Sequence, residues 1–170
     1  KVTVLVPAVN RPDNVPRLVE SFNATNDGTA QLLYIVEPQH HDQVNALDKA
    51  GADYIFANRG TSYASKMNQG FDESDGDFVF LAGDDVEFTP GWIEAARSLS
   101  DRYDVIGTND SEFGRVRNPL VAAGKHADHF FVRRQYVIDD GASLEGPGIL
   151  CPEAYYHWYT DKEMIQLAKA

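Results

Sequence analysis

Cysteine is all but absent. Cys151 stands alone, which excludes an internal disulfide and a metal site of several thiolates and leaves a buried structural thiol as the expectation. Positive charge is also short: 15 Lys and Arg face 26 Asp and Glu, a formal net charge of −11. That balance repels polyanions and disfavours nucleic acid and anionic lipid surfaces as partners. No apolar run approaches the roughly 18 residues that mark a membrane span. The opening Lys1-Val2-Thr3-Val4 is already strand-like rather than a signal peptide, so a cytoplasmic protein is expected. Two matches to the N-glycosylation pattern, at Asn23 and Asn109, carry no weight without secretion. Internal repeats and low-complexity tracts are lacking too. An initial Met is missing, and residues 164–170 stop in a helical pattern without a C-cap. The native polypeptide is therefore expected to continue past Ala170 and to supply a lid or metal ligand from there.

What remains is an ordinary globular composition in 170 residues, room for one domain with a sizeable core and not for two. Residues 2–7 are β-branched and apolar, and Val15, Leu18, Val19 and Phe22 then follow at helical spacing. The same alternation continues with strands at 31–36, 53–57 and 78–82, and with helices carrying Val44, Leu47 and Ala50, then Ala64, Met67 and Phe71. Thr89 reads as an N-cap with Pro90 at the first helical position, ahead of Trp92, Ala96 and Leu99. A strand is expected at 103–107. Between 109 and 152 the periodicity weakens, leaving one clear strand at 129–132 and a glycine-rich stretch, 141–148, that suits a lid. Thr160-Asp161-Lys162-Glu163 reads as a capping box that sets Asp161 in a first helical turn. Strands alternating with helices imply βαβ units, right-handed crossovers and a parallel sheet in an α/β fold.

The most informative segment is 77–86, where the apolar run Phe78-Val79-Phe80-Leu81-Ala82 ends in Gly83-Asp84-Asp85. A strand buried on both faces would release these two carboxylates at its carboxyl end, where open α/β sheets bind ligands. The competing reading is a solvated Gly-Asp turn. Residues 2–12 (Val-Thr-Val-Leu-Val-Pro-Ala-Val-Asn-Arg-Pro), residues 61–70 (Thr-Ser-Tyr-Ala-Ser-Lys-Met-Asn-Gln-Gly) and Gly83-Asp84-Asp85 with Pro90-Gly91-Trp92-Ile93-Glu94 agree in order and spacing with a known family. Together they resemble inverting family 2 glycosyltransferases. Beyond residue 96 the likeness is confined to residues 160–163.

The resemblance implies a GT-A-type nucleotide-diphospho-sugar transferase fold with a mostly parallel central sheet flanked by helices. It implies one domain over 1–170, with a nucleotide-sugar half at 1–96 and an acceptor half at 97–170. Asp85 becomes the ligand of a divalent cation, manganese or magnesium, that neutralises the leaving diphosphate. The family's Asp-x-Asp begins here with Gly83, so Asp84 is expected to share the cation through water or to hold the donor ribose. Pro7 and Ala8 would meet the nucleobase through their backbone, Asn10 and Arg11 the loop and a phosphate, and Arg59 and Lys66 the donor as cations. Lys66 could equally be a snorkelling surface lysine. Glu37 takes the place of a base-binding Asp; a uracil imide is favoured, and guanine stays open.

Asp161 is the implied general base, with a simple capping acid as the alternative, and Glu163 is the expected reciprocal capping residue. His129, His157 and Trp158 are candidates for the acceptor site, which would take a glycan, protein or small-molecule hydroxyl. His126 or His129 is also a candidate imidazole ligand, against the commoner structural role. Two rivals stand beside the transferase. A sugar-phosphate nucleotidyltransferase would carry a glycine-rich cationic loop after the first strand, which residues 8–11 lack. A non-catalytic nucleotide-sugar-binding or interaction module draws support from Gly83.

Overall fold

The structure, a computed structural model, describes residues 1–108, 119–155 and 160–168. Strands form where β-branched and apolar residues run together: β1 Val2–Pro7, β2 Ala30–Val36, β3 Asp53–Phe56, β4 Phe78–Leu81, β5 Val105–Gly107 and β6 Phe130–Arg133. They build one sheet in the order β3-β2-β1-β4-β6-β5. β1 lies parallel to both β2 and β4, with Val4 opposite Leu32 on one side and Phe80 on the other. β2 and β3 are parallel, whereas β6 runs antiparallel between β4 and β5. The sheet is thus mostly parallel, with one reversed strand.

Helices α1 Asn14–Thr25, α2 His41–Ala50, α3 Tyr63–Asp72, α4 Trp92–Ser100, α5 Pro119–Ala122, α6 Arg134–Asp139 and α7 Thr160–Leu167 complete the order. Side chains alternate across each strand, so β1 feeds two cores. Val2, Val4 and Val6 join Leu18 and Phe22 of α1 and Leu47 of α2 on one face. Leu5 joins Met67 and Phe71 of α3, Val137 of α6 and Met164 of α7 on the other. Burial on both faces is why these strands read as unbroken apolar runs. Val4, Leu5 and Val6 are fully buried, each contributing about 1.5–3 kcal/mol, which fixes the central strand beneath the loops that matter below.

Two local expectations change. Helix α4 begins at Trp92, and the residue before it, Gly91, has φ 86° and ψ 4°. That is the second central position of a type II turn opened by Pro90, a conformation that glycine alone takes without strain; turn chemistry displaces the expected Thr89 cap. Helices α5 and α6, of 4 and 6 residues, hold too few turns to show periodicity in the sequence. After the acidic turn the chain is fastened to α1. Trp92 packs on Phe88 with centroids 4.8 Å apart, its Nε1 donates to Thr25 Oγ1, and the Phe88 amide donates to Ser21 Oγ. Among the described residues no helix is long and apolar enough to cross a membrane.

Candidate active site

The strand order reverses at β1, with β2 on one side and β4 on the other, so the carboxyl ends of these strands open the crevice typical of such sheets. Two adjacent carboxylates emerge there into different surroundings. Asp84 is 6% exposed and Asp85 62%. Asn10, the one non-glycine with positive φ among the described residues, turns the chain after β1. Arg11 Nη1 then stands 3.2 Å from Asp84 Oδ1 and 3.4 Å from Asp85 Oδ2, bridging the pair. Arg17, one helical segment on, donates to the Asp85 carbonyl at 3.0 Å. Asp84 Oδ2 is buried without a partner. Desolvation raises the Asp84 pKa above the usual carboxylate value; Arg11 opposes that shift and Asp85 adds to it.

Gly83 explains how the missing first carboxylate changes the site. A Cβ there would lie 2.8 Å from Asp85 Oδ1 and 3.7 Å from His129 Cε1. Asp85 and His129 therefore border one small space that a larger residue at 83 would fill. His129 packs edge-on against Phe80, with centroids 5.9 Å apart, so it borders the acidic turn. Among the described residues no three His, Cys, Asp or Glu side chains converge to hold a metal. The exposed Asp85 carboxylate and the unpartnered Asp84 oxygen nonetheless suit a hard divalent cation that takes its remaining oxygens from a diphosphate and water.

Lys66 is neither on the surface nor free. It is 2% exposed, and its Nζ donates to the Ala8 carbonyl and to Glu37 Oε1, both at 2.7 Å. Ser62 caps its helix by accepting from the Ser65 amide, which fixes the turn that carries Lys66. Gln39 Nε2 donates to the other Glu37 oxygen at 2.7 Å. Ala8 itself continues the ladder through its amide to the Ile35 carbonyl, so Pro7, Ala8, Glu37 and Lys66 form one rigid corner. Arg59 is drawn away from this corner into an exposed pair with Asp72.

Asp161 lies in the first turn of α7, 37% exposed, with its Oδ2 3.7 Å from His126 Nδ1. Glu163, on the same helix, reaches across to the 141–148 stretch. Its buried carboxylate accepts from Ser143 Oγ at 3.2 Å and from the Leu144 amide at 2.8 Å, and Tyr155 bonds to it as well. These bonds tie down the expected lid at 141–148, leaving Leu144 75% exposed at its tip. Cys151 is buried, and burial pushes its thiol up, as a structural cysteine requires. His157 and Trp158 lie outside the described residues. Sequence reasoning missed Arg17, Gln39 and the pairing of His126, because each acts through a partner distant in the chain or across a turn.

The model of the family described as Glycosyl transferase family 2 matches residues 3–135. The chain belongs to this family. As a family 2 member it is 25% identical over 138 residues to the undecaprenyl-phosphate 4-deoxy-4-formamido-L-arabinose transferase of Proteus mirabilis, covering 72% of this chain and 42% of that protein. Its GT-A fold matches glucosyl-3-phosphoglycerate synthase from Mycobacterium tuberculosis, solved with manganese, UDP and glucosyl-3-phosphoglycerate, at TM-score 0.63 and 13% identity. The match covers 82% of this chain and 58% of that one. Mannosyl-3-phosphoglycerate synthase from Rubrobacter xylanophilus aligns at TM-score 0.61 and 16% identity, over 82% and 56% of the two chains. This family 2 chain thus spans about half the length of the proteins it matches.

Proposed function

We propose that the chain is a metal-dependent inverting glycosyltransferase that moves a sugar from a UDP-sugar to an acceptor hydroxyl. The observation that carries this reading is the corner at the carboxyl ends of β1, β2 and β4. There Arg11 bridges Asp84 and Asp85 while Lys66 fixes Glu37 against the Ala8 carbonyl. A bound divalent cation would be held by Asp85, with Asp84 behind it, and would supply charge neutralisation for the departing diphosphate. Arg11, 55% exposed, has room to turn from the carboxylates to a phosphate.

The base preference follows from donor and acceptor order. Glu37 is an acceptor flanked by two donors, Lys66 and Gln39. A uracil edge presents one N–H between two carbonyls and complements that order, whereas guanine sets a second donor against a donor. Asp161 would take the acceptor proton from the face opposite the diphosphate, which inverts the anomeric centre. The acceptor is a glycan, protein or small molecule bearing a hydroxyl. One observation favours a binding module instead: Gly83 brings no carboxylate to the site.

A thermal-shift panel of nucleoside diphosphates with and without manganese tests the reading, because a ligand of the native state raises its melting temperature. UDP with manganese should give the largest rise. No rise with any nucleotide rejects the proposal. Donor hydrolysis then separates the enzyme from a binding module.

A further inference from the structure

The transferase reading leaves the proton removed from the acceptor on Asp161, and the groups around that carboxylate give it an onward path. His126 stands on the loop between α5 and β6 with a carboxylate near each ring nitrogen: Nε2 is 3.1 Å from Asp128 Oδ1, and Nδ1 is 3.7 Å from Asp161 Oδ2. The hydrogen bond to Asp128 places the ring proton on Nε2, which leaves the Nδ1 lone pair facing Asp161. This is the arrangement of a base oriented by a third group. The 3.7 Å gap is one small rotation from hydrogen-bond reach, and such contacts commonly tighten when substrate binds.

We propose that His126 serves the transfer reaction as the onward proton acceptor, taking from Asp161 the proton that Asp161 takes from the acceptor. The inference rests on the transferase reading above. In the step, the acceptor O–H bond breaks and its proton moves to Asp161. The oxygen lone pair forms the new bond to the anomeric carbon, and the pair of the old carbon–oxygen bond leaves with the diphosphate. The proton then passes from Asp161 to His126 Nδ1. An imidazole is the stronger base of the two kinds of side chain. A first-turn position further stabilises the restored Asp161 carboxylate. Asp128 holds the imidazolium, and His126 is 35% exposed, so water can carry the proton away.

The test uses the full chain, with water as the acceptor hydroxyl in UDP-sugar hydrolysis. His126→Ala should keep the manganese–UDP thermal shift and lose about tenfold or more in hydrolysis rate. Added imidazole should restore part of that rate. A rate within about twofold of wild type, or a loss that imidazole does not lift, overturns the proposal. If His126→Ala fails to fold, Asp128→Asn decides, because it keeps the ring and frees its orientation: kcat should fall with the donor KM unchanged, and an unchanged kcat overturns the proposal. A wild type that binds UDP yet hydrolyses no nucleotide sugar rejects the transferase reading instead. The pairing is then read by ring-nitrogen NMR, where Asp161→Asn must move the His126 Nδ1 signal; an unmoved signal refutes it.

Discussion

Asp84 and Asp85 are neighbours in sequence and opposites in environment, and the contrast assigns them different work. Asp85 is exposed, which suits the cation ligand proposed above. Asp85→Asn should therefore abolish the manganese-dependent part of the UDP thermal shift; an unchanged shift removes the metal assignment. Asp84 is buried with one oxygen unpartnered, and burial raises its pKa. For an acid with a raised folded pKa, the native state binds the extra proton. Ionising it costs stability as pH climbs from the ordinary carboxylate value through the raised one, and the cost persists above that window. Asp84→Asn should hence be at least as stable as wild type at neutral pH, with the advantage vanishing in acid below the carboxylate range. Its UDP–manganese shift should fall less than that of Asp85→Asn. Thermal melts across pH, with and without ligand, check both halves. Lys66 illustrates what the residue scale hides in sequence. It lies between Ser65 and Met67 on a helix buried from Ala64 to Phe71, so no polar stripe marks it as special. Only the fold brings Glu37, 29 positions away, to its ammonium.

At the scale of elements, the strands were legible because burial on both faces demands continuous apolar residues, and α1 because one face repeats at helical spacing. Glu163 was not, since a capping box and a clamp on a distant loop use the same residue types. Its carboxylate joins α7 to the 141–148 stretch and so fastens that stretch to the helix that carries Asp161. Glu163→Ala would leave the Leu144 amide and the Ser143 hydroxyl without that acceptor. The cost should be about 1–3 kcal/mol, the penalty of unsatisfied buried polar groups. Urea denaturation measures the loss, and hydrogen exchange should speed up at the Leu144 amide. Equal exchange in variant and wild type would show that other contacts hold the loop.

For the whole molecule, residues 1–96 and 97–170 share one sheet and one core. β6 from the second half pairs along the full length of β4, the strand that delivers Asp84 and Asp85, and α6 and α7 add Val137 and Met164 to the core beneath α3. The antiparallel insertion of β6 was invisible in sequence because strand direction depends on the path of the chain and not on side-chain pattern. The acidic turn was legible because its pattern is local, in a strand followed at once by its carboxylates. The surroundings of Asp161 were less so, since it meets His126 only across 35 positions. Asp161→Asn should keep the manganese–UDP thermal shift, because the proposed donor residues Arg11, Glu37, Lys66, Asp84 and Asp85 lie in the loops after β1, β2 and β4 and in α3. Transfer should nevertheless fall by roughly a hundredfold or more, the usual cost of losing a general base. If the variant instead loses donor binding in step with its melting temperature, Asp161 supports the first turn of α7 and the base must be sought elsewhere.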